Sequence, residues 1–154
     1  MDTIKELLKN EILTASVLSW MVAQVLKVIV DFSKNKRINL ERFTGAGGMP
    51  SGHSATVCCL TISAARVEGL ASPVFAISVL FAMVVMYDAM GVRQAAGHHA
   101  RVINKLVENV EREMQTEVAD DLKESLGHTP LEVTAGALLG IVVAMAVPIL
   151  YRLK

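Results

Sequence analysis

The chain has 154 residues, of which 53% are hydrophobic and 19% charged, and its mean hydropathy is +0.46. That is too apolar for an ordinary soluble domain and predicts one membrane-embedded unit over residues 1–154. The 15 Lys and Arg balance the 15 Asp and Glu, so no net field exists to attract nucleic acid, and no nucleic-acid partner is expected. Aromatics are only 5%; the apolar content is mostly Val, Ala, Leu, Ile and Met, a mixture suited to helices packed closely in lipid.

The first 11 residues are mixed in charge, without the basic region, apolar core and small-residue cleavage site of a signal peptide. Residues 12–30 form the first apolar segment, interrupted by Gln24 and Lys27. Lys27 lies late in it, where its amine either snorkels to the interface or reaches an anion. A loop over residues 33–53 follows and ends in two runs. The first is Thr44-Gly45-Ala46-Gly47-Gly48-Met49 and the second Pro50-Ser51-Gly52-His53-Ser54-Ala55. The next apolar segment, residues 54–65, begins there, with Ser54 as an expected cap. Glycines and exposed N–H groups at a helix start suit an oxyanion, because those donors lack intrahelical partners and the macrodipole is positive there. Ser51, Gly52 and His53 are therefore candidate phosphate-binding residues. Cys58 and Cys59 are adjacent and read as packed thiols.

Gly69-Leu70-Ala71-Ser72-Pro73 is a turn signal, and residues 73–86 are the third apolar segment, closing a helical hairpin. Asp88 and Arg93 stand at its far end, where a charge is costly unless paired or functional. An arginine there suits two-pronged phosphate contact. Residues 91–127 turn polar, with Val102, Ile103, Leu106, Val110, Met114 and Val118 at helical spacing, and predict an amphipathic helix. His98 and His99 adjoin on it and point about 100° apart, which does not suit one metal ion. Then comes Leu126-Gly127-His128-Thr129-Pro130-Leu131-Glu132, before a fourth apolar segment over residues 133–150. Thr129-Pro130 reads as an N-cap followed by proline, placing His128 just outside the helix. Glu132, four residues on, can fix its tautomer and leave the other ring nitrogen free as a nucleophile or base.

Four spans put both histidine motifs on one side. Most basic residues lie on that side, Lys34, Lys36, Arg37, Arg42, Arg93 and Lys123 among them; Lys5, Lys9, Arg66, Arg152 and Lys154 lie on the other. The expectation is an all-α integral membrane bundle of about four membrane helices plus an amphipathic polar helix, in a bacterial inner membrane with the histidine face cytoplasmic.

Pro50-Ser51-Gly52-His53, Tyr87-Asp88-Ala89-Met90-Gly91-Val92-Arg93 and Leu126-Gly127-His128-Thr129-Pro130-Leu131-Glu132-Val133 together resemble the type 2 phosphatidic acid phosphatase superfamily, in its small divergent branch. The resemblance reaches from about Lys27 to Gly140. It implies a metal-independent phosphatase with no cofactor, acting on a lipid phosphate or polyprenyl diphosphate. It implies that His128 attacks phosphorus and forms a phosphohistidine, with Glu132 in the place of the superfamily's aspartate. His53 protonates the leaving oxygen, and Ser51 and the Gly52 backbone hold phosphate oxygens. Departures fall on the basic clamp: the superfamily's lysine followed by an Arg-Pro pair is absent, and its later arginine falls on Leu122. Lys27, Arg42, Arg93 and Lys123 are the substitutes by position, with Asp88 holding Arg93. The chain is short for the superfamily, and a homodimer is one way to complete the site. Two rival readings stand beside this one. One is a vanadate-dependent peroxidase; the other is a non-catalytic lipid-phosphate binding or scaffold protein that retains the pocket.

Overall fold

The computed structural model describes residues 2–36, 48–114, 122 and 127–148, and every element among them is a helix. In chain order these are α1 (Asp2–Lys9), α2 (Glu11–Asn35), α3 (Gly52–Glu68), α4 (Pro73–Met90), α5 (Val92–Met114) and α6 (Pro130–Ala146). Their starts follow side-chain chemistry. Asn10, Ser51, Ser72 and Thr129 each cap a helix by accepting the N–H three residues on, from Leu13, Ser54, Phe75 and Glu132. Pro73 and Pro130 occupy first-turn positions, where a missing N–H costs nothing. The expected cap at Ser54 is corrected to Ser51. The helix begins earlier than the apolar run, and Ser54 is the donor rather than the acceptor.

Helix α3 is central, packed on α2, α4 and α6. Its neighbours along the axis define direction. Ser51 meets Glu132 and Gly136, Ala55 meets Gly140, and Arg66 meets Ala144 and Val147, so α3 and α6 run parallel. Cys59 meets Ala15 and Ser19 meets Ala55, so α2 runs against them. Thr61 meets Ser78 and Cys58 meets Met86, so α4 does too. The N-termini of α3 and α6 and the C-terminal ends of α2 and α4 thus share one end. At the other end the Arg66 guanidinium donates to the carbonyls of Ala144 and Val147, a cation at the C-terminus of α6.

The interior is built of small residues. Ala15, Ala23, Ala55, Cys59, Ala64, Ala82, Ala89 and Ala144 are buried, and the largest fully buried side chains are Cys59, Ser19, Ser51 and Ser54. The large apolar side chains point outward: Leu18, Met21, Val25 and Ile29 on α2, Ile77, Leu80, Phe81 and Val84 on α4, Leu138 and Val142 on α6. This is the distribution of helices whose outer faces meet lipid, where close packing rather than water exclusion holds neighbours together. A soluble bundle would hide those side chains.

Among the described residues, two of the four expected spans meet the length and apolarity needed to cross a membrane: residues 11–33 within α2, and the run from Pro73 through Met114 that joins α4 to α5. Helices α3 and α6 have 17 residues each, short of the roughly 20 that a bilayer core asks for. The first part of the polar segment forms α5 as expected, with Val102, Ile103, Leu106, Val110 and Met114 exposed on it; Val118 lies outside the described residues. Helix α1 forms where no helix is expected from the mixed-charge first residues.

The closest approach is between α3 and α6. A Cβ on Gly136 would stand 2.3 Å from the Ser51 carbonyl oxygen, and one on Gly140 would stand 2.3 Å from that of Ala55. Backbone cannot retreat there without separating the helices. Gly140→Val is therefore expected to destabilise the protein by at least about 1–3 kcal/mol, whereas Leu138→Ala on the outer face should change little. Thermal unfolding of both variants in detergent checks this. Equal stability would show that the α3–α6 approach is not tight.

Candidate active site

Two helix N-termini meet at the shared end. The chain enters α3 through a cis Met49–Pro50 peptide, and Ser51, fully buried, caps it. The Ser51 Oγ accepts from the Ser54 N–H at 3.4 Å and from the Ser54 hydroxyl at 3.1 Å. The Ser51 N–H donates to the Glu132 carbonyl at 3.0 Å, tying the first turn of α6 to the cap of α3. Both positive helix ends therefore point into one space, which favours an anion.

His53 and His128 face each other there, ring centroids 5.9 Å apart and planes inclined by 67°. Their environments differ. His53 is exposed, one residue into α3. His128 is 2% exposed, immediately before the Thr129 cap of α6. The placement outside the helix matches the expectation, but the ring is packed inward rather than standing in open loop. Its backbone N–H donates to the Ala89 carbonyl at 3.0 Å, anchoring it to the end of α4.

Glu132 orients it. Its Oε2 lies 3.3 Å from His128 Nδ1 and accepts the Thr129 N–H at 3.0 Å, while the Glu132 N–H donates to Thr129 Oγ1 at 3.3 Å. This is a capping box whose carboxylate also holds an imidazole. A proton on Nδ1 facing the carboxylate leaves Nε2 with its lone pair. Reacting atoms sit about 3–3.5 Å apart, and a proton donor about 2.6–3.2 Å from the atom it serves. One phosphoryl group and its leaving oxygen can bridge two rings at the observed separation.

Asp88 joins the site from α4. With His53, Val84, Val85 and Ala89 it lines a cleft of about 260 Å³. That is smaller than the roughly 300–1,000 Å³ of pockets that enclose drug-sized ligands.

From α2 come Lys27 and a residue the sequence reading passed over, Gln24. Lys27 is 4% exposed, and a Cβ on Gly48 would stand 3.2 Å from its Cγ. The amine is packed inside the bundle, which removes the snorkelling alternative. Gln24 Nε2 would meet a Cβ on Gly52 at 3.1 Å. Its signal was available: an amide and an amine three residues apart, on one helical face of an apolar segment, are polar groups that lipid does not tolerate without a use.

Of the expected site residues, His53, His128, Glu132, Ser51, Gly52, Asp88 and Lys27 all lie at the same end of the bundle. Arg42 and Lys123 lie outside the described residues. Arg93 falls in the first turn of α5, and its side chain is outside the described set, as is any pairing with Asp88. His98 and His99 are exposed on α5, away from this constellation in sequence and helix. Among the described residues no group of three or more His, Cys, Asp or Glu gathers as a metal site.

An all-helical bundle with lipid-compatible outer faces, carrying two histidines at converged helix N-termini, has the build of a membrane protein. The chain belongs to the Divergent PAP2 family, which matches residues 8–143. It is 41% identical over 150 residues to the Uncharacterized membrane protein YuiD of Bacillus subtilis (strain 168), covering 91% of this chain and 95% of that one. No solved structure matches it.

The doubled use of Glu132 gives a separable prediction. Glutamine also closes a capping box, so Glu132→Gln should keep thermal stability close to wild type, and Glu132→Ala should lose about 0.3–1.5 kcal/mol. Nitrogen NMR of labelled histidine should find the His128 proton on Nδ1 in the wild type. A proton resident on Nε2 would contradict the orientation described.

Proposed function

We propose that the protein is an integral membrane phosphatase that hydrolyses a lipid phosphate or diphosphate through a phosphohistidine intermediate. The observation that carries this reading is the facing pair His53 and His128, with Glu132 behind His128, at the meeting of two helix N-termini. Membership of a phosphatase-related family and a membrane-protein relative support it.

The steps follow from the arrangement. The phosphoryl group sits against the N-termini of α3 and α6, with Ser51, the Gly52 backbone and Lys27 about it and Arg42, Arg93 and Lys123 as further cations. His128 Nε2 attacks phosphorus in line, and the N–P bond forms as the bond to the leaving oxygen breaks. His53 gives its proton to that oxygen, and the alcohol departs. Glu132 stabilises the positive charge that the His128 ring acquires. Water then attacks phosphorus, His53 takes its proton, and the N–P electron pair returns to Nε2. Phosphate leaves and both rings are restored. Positioning and charge stabilisation do most of the work in phosphoryl transfer, and helix ends and cations aimed at the equatorial oxygens supply them.

The same reading places α3 and α6 beside α2 and α4 as a four-pass bundle. Short helices are accommodated there by local thinning of the bilayer. The histidine end faces the cytoplasm of a bacterial inner membrane. The expected outcome is loss of turnover by at least about 10³-fold in both His53→Ala and His128→Ala, with folding retained. Release of phosphate from short-chain phosphatidate and from a polyprenyl diphosphate, assayed in detergent with a chelator present, measures it. Near-normal rates in both variants would refute the mechanism. Substrate binding without release by the wild type would favour a lipid-phosphate binding protein instead.

A further inference from the structure

Helix α5 is turned inside out for a helix in water. Its large aliphatic side chains, Val102, Ile103, Leu106, Val110 and Met114, are 43–65% exposed and recur at the spacing of one helical face. Its half-buried residues include Arg101, Asn104 and Glu111. With the buried Gly97 these lie on the far side of the helix, at about 100° per residue. There the Asn104 amide donates to the Leu122 carbonyl at 2.8 Å and accepts the Leu122 N–H at 2.9 Å. The chain thus meets α5 through polar groups and leaves the aliphatic stripe outward. A soluble protein packs such a helix the other way round.

Two observations say what meets that stripe. The first is where α5 starts. Helix α4 has 18 residues, about 27 Å at 1.5 Å per residue, close to the roughly 30 Å of a hydrocarbon core. Tyr87, 74% exposed, stands in its last turn, at the depth where interfacial aromatic rings sit. The Ala89 carbonyl accepts the His128 N–H and Gly91 follows, so α4 ends there and α5 begins at headgroup level. The second observation is charge. From Val92 through Val107 the sequence has Arg93, Arg101 and Lys105 and no Asp or Glu; the acids of α5, Glu108, Glu111 and Glu113, come after. The half nearest the membrane is therefore basic, the complement of an anionic bilayer surface. A second copy of the chain fits less well. A two-stranded seam centred on Leu106 needs apolar residues one heptad to either side, and His99 and Glu113 stand there.

We propose that α5 is an interfacial helix. Its aliphatic stripe rests at the boundary of headgroups and acyl chains on the histidine side, and its basic half meets anionic phospholipid headgroups. The surface starts just past Asp88, which lines the cleft with His53, so anionic lipid gathers at the edge of that cleft. The inference stands apart from the phosphatase reading, because it needs only the bilayer.

Tryptophan fluorescence tests it on the full chain, reconstituted in phosphatidylcholine vesicles with and without phosphatidylglycerol. Trp20, the chain's one tryptophan, supplies the background to subtract. Leu106→Trp reports on the stripe and Glu108→Trp on the solvated face. Leu106→Trp should emit to the blue of Glu108→Trp, be quenched by phosphatidylcholine brominated high on its acyl chains, and be several-fold less accessible to acrylamide. Phosphatidylglycerol should increase the lipid quenching, and adding Arg101→Gln and Lys105→Gln to the Leu106→Trp chain should remove that increase. Acrylamide reaching both variants alike places the stripe in water and overturns the inference. Shielding of Leu106→Trp from acrylamide and from brominated lipid together places protein over the stripe, a second copy or another part of this chain, and overturns it too. Lipid quenching indifferent to phosphatidylglycerol, or an increase that survives both charge removals, overturns the assignment to an anionic surface.

Discussion

The contact on which the site depends is the backbone approach of α3 to α6 at Gly136 and Gly140. With side chains there, the Ser51 and Ala55 carbonyls could not sit where they do. Because the two glycines are four residues apart, as are Ser51 and Ala55, the contact repeats over a full turn and fixes both register and direction. Parallel helices in this register bring the Ser51 cap level with the Thr129–Glu132 cap. The Ser51 N–H to Glu132 carbonyl bond closes the gap. His53 and His128 then face each other because each stands within two residues of its cap. Two aligned dipoles side by side repel slightly, and an anion at their positive ends offsets this. The fold thus carries an electrostatic demand that its proposed ligand meets.

Small residues make that approach affordable in lipid. Interhelical hydrogen bonds supplement it: Ser19 to the Ala55 carbonyl at 3.0 Å, Thr61 to the Ser78 carbonyl at 3.1 Å, Cys59 to the Ala15 carbonyl at 3.3 Å. Each contributes well under about 1–2 kcal/mol in a membrane, but together they join α2 and α4 to α3. The contrast with the site end is informative. There, Lys27, Gln24 and His128 are buried polar groups, which lipid makes costly unless they are paired or used. Arg66 shows the opposite case at the far end: a cation held by the carbonyls at the C-terminus of α6.

Much of this was legible in the residues. Proline and hydroxyl caps announced the starts of α4 and α6, and the histidine motifs fell where side alternation put them. Ser54 was read as a cap because the apolar run starts there; Ser51 won because its free β-region backbone, held by the Glu132 carbonyl, lets the helix begin at Gly52. The Gly-x-x-x-Gly spacing of Gly136 and Gly140 in an apolar segment was also readable as a close-packing face. Gln24 was visible as an interruption and passed over in favour of the charged Lys27. The number of spans was harder, since α3 and α6 are apolar but short and hydropathy alone does not say how a bilayer meets a 17-residue helix.

The central claim is that His128 is the nucleophile, and trapping its covalent intermediate tests that most directly. The full chain in detergent would be mixed with phosphorus-labelled short-chain phosphatidate, quenched within a turnover in alkali, and digested for mass spectrometry. The account predicts an acid-labile, alkali-stable phosphoryl group on His128, present in the wild type, formed far more slowly in a His53→Ala variant that lacks the proton donor to the leaving oxygen, and missing in His128→Ala. Turnover with label on another residue, or turnover that persists in His128→Ala, would contradict it.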